Sequence, residues 1–210
     1  MTFQALSSAM KASHQEVRLQ PFHPDMINVA SFPVCLIVGP KRVGKSILAA
    51  DLQKRFATFD QTLTVDPSQS SPTGDVIYAV EKPKDRQVSR LVVLDTDKSE
   101  NDSVRVDHIY ESGHRYRIAL IQTLQYPDLK ERRRANVDYC FVSSHFTDGA
   151  VMKKVYQHVA HVIPKFSIFE EIMSTLAATP YTFLVINNAT SNNKWQDKLS
   201  YYKCYLTTPV

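Results

Sequence analysis

The sequence predicts an α/β fold in which a mainly parallel β-sheet is flanked by helices. Short apolar runs, typical of buried strands, alternate with longer segments of helical periodicity. The loop between the first such strand and helix has the spacing of a phosphate-binding loop, and a later apolar run ends in a carboxylate. With 210 residues, 43% of them apolar and 22% charged, the chain is large enough to bury a single core of this kind.

The expected elements follow one another along the chain. Residues 1–30 are polar, carry two prolines and are interpreted as an N-terminal arm with a short helix near residues 3–17. Residues 31–210 are expected to form one domain that carries the phosphate-binding loop. Strands are predicted at 33–38, 61–65, 76–80, 90–94, 117–122, 139–142 and 182–186. Helices are predicted at 45–56, 104–112, 149–159 and 168–177. In parallel sheets ligands bind at the carboxyl ends of the strands, so the site is expected there.

The motif VGPKRVGKS, residues 38–46, lies between the first strand and the first helix. Its spacing is that of a P-loop, whose bare backbone N–H groups wrap a polyphosphate. Glycine is needed because a side chain would clash with the phosphate or forbid a positive φ. Lys45 is expected to reach the β- and γ-phosphates of ATP, and the Ser46 hydroxyl to bind Mg²⁺. The predicted nucleotide contacts are Gly39, Pro40, Lys41, Arg42, Val43, Gly44, Lys45, Ser46 and Ile47.

A second apolar run, RLVVLD, ends in Asp95. Mg²⁺ prefers oxygen ligands, and a carboxylate at the end of a neighbouring strand supplies one. Asp95 is therefore predicted to hold the metal with Ser46, directly or through water. A second acid that polarises the attacking water is expected immediately afterwards, but Thr96 stands there, so Asp97 is the candidate catalytic base.

A third apolar run, RIALIQTLQYP, ends in polar residues where the γ-phosphate is expected. Gln122 and Gln125 are both candidates for orienting the attacking water or sensing the phosphate. An ordinary structural role, in which a glutamine satisfies nearby backbone groups, is the alternative.

The composition of the chain limits which kinds of partner and compartment are expected. No apolar run approaches the roughly 18 residues that a membrane span needs. The net charge of +4 permits contact with nucleic-acid phosphates, and the densest basic cluster is KERRRAN, residues 130–136. Three widely spaced cysteines form no CxxC pair, and Cys35 and Cys140 lie in apolar runs. They are expected to be buried, reduced thiols, which fits an intracellular compartment.

Taken in order, four segments resemble the genome-packaging ATPases of large cytoplasmic DNA viruses such as poxviruses and iridoviruses, within the FtsK-HerA superfamily of ring-forming motors. These segments are GPKRVGKS, LVVLD, ESGHRYRIALIQTLQYPDLKERRRANVDYCFV and TFLVINNATSNNKWQDKLSYYK. The resemblance covers about residues 33–204 and implies a RecA- or FtsK-HerA-like P-loop NTPase fold. It implies that Gln125 senses the γ-phosphate and that Arg134 is an arginine finger for a neighbour's nucleotide. The chain departs from the family's pattern at two positions. Thr96 follows Asp95 where the family usually has a second acid. GHRY inverts the family's more usual Arg-His order, so either His114 or Arg115 could take the role of that position.

The resemblance also implies a function: an ATP-hydrolysing motor that translocates double-stranded DNA into a preformed capsid. ATP and Mg²⁺ would be its cofactors. Its partners would be duplex DNA, contacted through phosphates, further copies of the chain in a ring, and a capsid or portal component. The implied location is the assembly site in the host-cell cytoplasm, or the virion.

Two other classes of function remain compatible with the residues. A small-molecule kinase, such as a nucleotide kinase, also places a P-loop in a chain of this size, and KERRRAN resembles its arginine-rich lid. A nucleotide-gated assembly module is the second alternative, in which Thr96 marks a lost catalytic base. ATPase activity with and without duplex DNA discriminates among the three.

Overall fold

The computed structural model describes residues 10–12, 15–65, 87–95 and 104–204. Strands within these ranges are β1 (Met10–Ala12), β2 (Gln15–Val17), β3 (Gln20–Pro21), β4 (Val34–Val38), β5 (Gln61–Val65), β6 (Arg90–Asp95), β7 (Ile118–Leu124), β8 (Tyr139–Ser143), β9 (Thr182–Asn187) and β10 (Leu199–Lys203). The α-helices are α1 (Lys45–Arg55), α2 (Val104–Ser112), α3 (Glu131–Arg134), α4 (Gly149–Val159) and α5 (Phe166–Ala177). Short 3₁₀ helices are Pro24–Met26, Val29–Ser31, Gly113–Tyr116 and Trp195–Lys198.

Eight of the strands in the described ranges form one sheet in the order β3-β10-β9-β8-β4-β7-β6-β5. The five strands from β8 to β5 are parallel, β9 runs antiparallel to β8, and β10 runs antiparallel to β9. The predicted α/β class with a mainly parallel sheet is confirmed. The carboxyl ends of the parallel strands meet at one edge, called here the carboxyl edge, and their starts meet at the opposite, amino edge.

Alternation along the strands divides the core between two faces of the sheet. On β4, Leu36 and Val38 face a cluster that includes α2, α4 and α5, whereas Cys35 and Ile37 face a cluster built on α1. The predicted burial of Cys35 and Cys140 is confirmed, and burial raises the pKa of both thiols. Of the helices in the described ranges, none has the length and apolarity to span a membrane.

The N-terminal segment differs from the prediction. Where a helix was expected near residues 3–17, the described residues form β1 and β2, which pair antiparallel, so that expectation is wrong for them. β3 pairs with β10 at the sheet edge, a position that tolerates Pro21 because an edge strand needs fewer N–H donors. Phe22 and Ile27 then pack into the α1 face. Part of the predicted N-terminal arm is therefore packed against the sheet. The predicted boundary between arm and domain at residue 30 stays a prediction.

Most predicted elements agree with the structure to within two residues at either end. The strand predicted at 76–80 lies outside the described residues. β10 was not predicted, because its alternating pattern, LSYYK, contains few aliphatic residues. What matters for the site is that β4 is central, with β7 on one side and β8 on the other.

Candidate active site

The loop that follows β4 is fixed by both neighbouring strands. The Gly39 N–H donates to the Leu124 carbonyl at the end of β7, at 3.0 Å. On the β8 side, a Cβ on Gly39 would lie 2.6 Å from the Cβ of Ser143, closer than real Cβ contacts come. Only glycine lets the chain leave β4 at this point, which explains its first position in the motif.

The loop closes through two residues with a positive φ, and α1 starts directly after them. Arg42 has φ 66° and Gly44 has φ 93°, both in the left-handed region. The first hydrogen bond of the helix runs from the Leu48 N–H to the Gly44 carbonyl, at 3.0 Å. The N–H groups of the preceding turn have no partner within the helix, and they carry its positive dipole end. This arrangement suits a polyphosphate.

Lys45 lies across this loop. Its ammonium group donates to the carbonyls of Gly39 at 3.0 Å and of Pro40 at 2.9 Å, and the side chain is 8% exposed. These neutral carbonyls are weaker partners for the cation than phosphate oxygens. The geometry therefore holds a buried positive charge at the place where the motif predicts the β- and γ-phosphates.

Oxygen ligands for a metal are brought together beside Lys45. The Ser46 hydroxyl donates to Asp95 Oδ2 at 3.2 Å, joining the start of α1 to the end of β6. The hydroxyl of Thr123, directly across from Asp95 on β7, donates to Asp95 Oδ1. A carboxylate and a hydroxyl at this spacing fit a Mg²⁺ ion, which binds oxygen donors and keeps several waters.

Thr123 was missed in the sequence. It stands one residue after Gln122 and one before the end of β7, and nothing local distinguishes it from an ordinary strand threonine. Its role follows from strand order: β7 lies between β4 and β6, so the residue opposite Asp95 belongs to β7. The threonine fixes the carboxylate orientation toward Ser46.

The two glutamine candidates lie in different surroundings, Gln122 within β7 and Gln125 just after it. Gln122 is fully buried, and its Oε1 accepts a hydrogen bond of 2.5 Å from the Tyr110 hydroxyl of α2. Burial raises the pKa of Tyr110, so this hydroxyl stays protonated as the donor. Gln125 follows β7 at the carboxyl edge, partly exposed, next to the residue that anchors Gly39. Of the two, only Gln125 lies at the carboxyl edge beside the P-loop, so it is the one that stays a candidate for the γ-phosphate.

Other predicted positions lie elsewhere. Thr96 and Asp97 fall outside the described residues, so the candidate catalytic base stays a prediction. His114 and Arg115 belong to the 3₁₀ helix that precedes β7, at the amino edge, away from the P-loop. The site assembled within the described residues therefore consists of the loop, Asp95, Thr123 and Gln125.

Arg134 also lies at the amino edge. It ends α3, its carbonyl accepts from the Val137 N–H at 3.3 Å, and Asp138 then bonds the first residue of β4. The five-residue β4 separates it from the P-loop, a length of about 16 Å at roughly 3.3 Å per residue. The structure does not bring Arg134 to the P-loop of its own chain.

The arginines beside Arg134 have partners on α2. Arg133 is 3% exposed and donates to the buried Asp107, which Arg132 also contacts. The Arg133 guanidinium lies 5.8 Å from the centre of the Tyr110 ring. Arg134 makes no ion pair within the described ranges. It lines a cavity of about 420 Å³ with Glu131, Ala135, Val137, Gln157, His161 and Asn188.

Comparison with solved structures identifies proteins of the same fold. The genome packaging NTPase B204 of Sulfolobus turreted icosahedral virus 2, in complex with ATP-gammaS, superposes with a TM-score of 0.61 and 12% identity, covering 86% of this chain and all of that one. B204, the DNA-packaging ATPase of Sulfolobus turreted icosahedral virus, gives a TM-score of 0.56 at 14% identity, covering 83% and 99%. The cytoplasmic domain of the Thermomonospora curvata type VII secretion ATPase EccC gives 0.53 at 14%, covering 85% and 26%.

The sequence relatives come from iridoviruses. The uncharacterised protein 088R of Invertebrate iridescent virus 3 is 34% identical over 96 residues, which are 45% of this chain and 36% of that protein. Protein 075L of Invertebrate iridescent virus 6, also uncharacterised, is 29% identical over 96 residues, 45% of this chain and 37% of that protein. The chain thus matches little more than a third of the length of these relatives. No family model matches.

Together the comparisons confirm the resemblance inferred from the sequence. The chain has the P-loop NTPase fold of viral genome-packaging ATPases, and its relatives are iridovirus proteins. At 12 to 14% identity the structural likeness establishes the fold, and the activity has to be argued from the site.

Proposed function

We propose that the protein is an ATP-hydrolysing motor that moves double-stranded DNA into a preformed viral capsid. The observation that carries the proposal is the convergence of the P-loop lysine, Ser46 and Asp95 at one edge of a packaging-ATPase fold, with Ser46 and Asp95 3.2 Å apart. A phosphate-binding loop joined to a metal-binding pair is the minimum that ATP hydrolysis requires.

Each residue has a part in phosphoryl transfer to water. The loop N–H groups and Lys45 bind the phosphates, while Ser46 and Asp95 would hold Mg²⁺, which neutralises charge on the β- and γ-phosphates when bound. Water adds to the γ-phosphorus as the bond to the ADP oxygen breaks, and the water proton passes to a base, for which Asp97 is the candidate. Gln125 would orient this water. Catalysis is thus mainly positioning and charge stabilisation.

The position of Arg134 supports a ring. It cannot reach its own P-loop across β4, yet a finger supplied by a second copy can complete the site. In a ring, the amino edge of one copy would face the carboxyl edge of the next. Hydrolysis would then depend on the assembled neighbour.

The kinase alternative has less support. Its arginine-rich lid must cover its own P-loop, but Arg132 and Arg133 contact Asp107 of α2, and α3 leads into the amino edge of the sheet. The nucleotide-gated module differs from the motor only in lacking hydrolysis. Measuring ATP hydrolysis therefore distinguishes both alternatives from the motor.

DNA would be held through its phosphates. Contacts of lysine and arginine with phosphate release counterions, so affinity falls steeply with salt and is insensitive to sequence. The net charge of +4 is compatible with this mode. The host-cell cytoplasm, where such capsids would be filled, is the proposed place of action.

The experiment measures phosphate release from ATP with and without duplex DNA, beside sedimentation with a non-hydrolysable ATP analogue. The motor predicts slow basal turnover, stimulation by duplexes of any sequence, loss of stimulation at high salt, and a ring-sized species. Transfer of phosphate to a small acceptor by a monomer or dimer would indicate the kinase instead. Assembly on the analogue without hydrolysis would indicate the gated module.

A further inference from the structure

The metal-binding residues lie on one side of the P-loop, and this fixes the orientation of a bound nucleotide. Ser46, Asp95 and Thr123 lie on the β6 and β7 side of the loop, and they mark the metal and therefore the β- and γ-phosphates. The other flank of the loop lies on the β8 and β9 side of β4, away from this metal-binding pair, and it is the side that remains for the nucleoside of an elongated ATP molecule. No motif in the sequence points to a residue for that end of the nucleotide.

One aromatic residue stands at this end. Tyr181 directly precedes β9, whose antiparallel pairing with β8 sets Phe183 across from Ser143 and brings the start of β9 to the carboxyl edge. The Tyr181 ring lies beside Gly44: a Cβ on that glycine would be 3.0 Å from its Cδ1. The ring is half-buried and leaves one part open to solvent.

The backbone of Tyr181 has an unusual conformation. Its φ is 57°, in the left-handed region that a bulky aromatic residue seldom adopts. The Cys204 N–H holds the Tyr181 carbonyl at 3.0 Å, and the Ser144 hydroxyl holds the next carbonyl, that of Thr182, at 2.9 Å. Contacts from the residues that follow β8 and β10 thus hold Tyr181 and its neighbour in this conformation next to the P-loop, a combination typical of functional sites.

We propose that the Tyr181 ring forms the nucleobase contact of this site, stacking on the base of the bound nucleoside triphosphate. The proposal rests on the proposed nucleotide function of the P-loop and adds the residue that binds the base. Stacking uses the π-face that every base has, so it strengthens binding with little selection among bases. The Tyr181 hydroxyl makes no hydrogen bond to any described residue. We therefore expect the ring, and not the hydroxyl, to contribute to nucleotide binding.

The test separates base from phosphates. Calorimetric titration compares ATP with inorganic tripolyphosphate, both with Mg²⁺, on the wild-type protein and on Tyr181→Asn, because asparagine tolerates the left-handed region. The expected result is a loss of ATP affinity of about 5- to 100-fold, the range of one base–aromatic stack. Tripolyphosphate affinity should stay unchanged, and Tyr181→Phe should bind ATP like the wild type.

Tyr201→Asn is the matched control, since it removes a half-buried ring of β10 that packs on the opposite face of the sheet. It should leave both affinities unchanged. A second measurement needs no substitution: the fluorescence of 2-aminopurine riboside triphosphate should be quenched on binding, as stacking on Tyr181 requires. Binding without quenching would overturn the proposal.

The outcomes of the titration are distinct. Equal losses for ATP and tripolyphosphate would mean that Tyr181 only supports Gly44, and unchanged ATP affinity would mean that it makes no contact; either overturns the proposal. If the wild-type protein bound neither ligand, the proposed nucleotide site itself would be wrong, and the proposal would fall with it.

Discussion

The two edges of the sheet differ in how many of the proposed catalytic groups they bring together within one chain. At the carboxyl edge, the P-loop, Lys45, Ser46 and Asp95 are assembled within one chain through direct hydrogen bonds. At the amino edge, Arg134 lines an open cavity at the opposite end of β4 from the P-loop of its own chain. Nucleotide binding is therefore expected to be a property of the single chain, whereas the proposed hydrolysis needs two copies.

The largest effect is expected from Arg134→Ala. Removing the guanidinium should lower ATP turnover about 10³- to 10⁵-fold, the usual value of an arginine finger, because transition-state charge loses its partner. ATP affinity should stay near the wild-type value, since the variant's own P-loop is intact. Phosphate release and nucleotide titration measure the two quantities.

Arg134→Lys is the control for charge alone. Lysine keeps the positive charge but lacks the planar fork, so partial turnover is expected. If the isolated Arg134→Ala chain bound ATP more weakly than the wild type, Arg134 would affect the P-loop of its own chain. The proposed separation, in which one chain binds ATP and a second chain is needed for hydrolysis, would then be wrong.

Lys45→Ala tests the carboxyl edge. It should reduce turnover about 10²- to 10³-fold, as loss of one preorganised charged donor does, and should weaken ATP binding as well. Lys54→Ala removes the same charge from α1 at a side chain that is 72% exposed and paired with Asp51, and should leave both unchanged. A folded Lys45→Ala protein with wild-type turnover would contradict the P-loop assignment.

Arg133→Met tests whether the amino edge is built on the contact with Asp107. The substitution leaves a buried carboxylate with one arginine fewer, so the free energy of unfolding should fall by about 3 kcal/mol. Arg132→Met, at a side chain that is 50% exposed, should cost less than about 1 kcal/mol. Urea unfolding measures both, and equal losses would show that burial does not distinguish the two arginines.

The smallest effect is expected from Thr123→Val. The change removes one hydrogen bond to Asp95 without changing side-chain shape, so turnover should fall about 2- to 10-fold and more Mg²⁺ should be needed for half-maximal rate. Thr182→Val is the control, because the buried Thr182 hydroxyl has no hydrogen-bond partner among the described residues. An unchanged Mg²⁺ requirement would remove Thr123 from the metal site.

The local features were predictable from sequence. The strand, glycine loop and helix at residues 33–56 are contiguous, and their glycine spacing and apolar periodicity depend only on neighbours in the chain. Asp95 was found for the same reason, as the acid that ends an apolar run. Such signals are set by steric and hydrophobic rules acting over a few residues.

Features that depend on strand order were not predictable. The insertion of β7 between β4 and β6 brings Thr123 to Asp95, and the pairing of β9 with β8 brings Tyr181 to Gly44. These two contacts join residues far apart in sequence, and no local pattern encodes them. The pairing of β1 with β2 is local, and the described residues of the segment predicted as a helix, 3–17, form this pairing instead.

The central claim, that the amino edge of one copy completes the carboxyl edge of another, is tested most directly by mixing two inactive variants. Lys45→Ala retains a sound Arg134 and Arg134→Ala retains a sound P-loop, so co-assembled rings contain junctions where both are present. ATP hydrolysis by the mixture should exceed that of either variant alone. Mixtures that co-assemble, as differently tagged subunits would reveal, yet remain as inactive as the separate variants would contradict the claim.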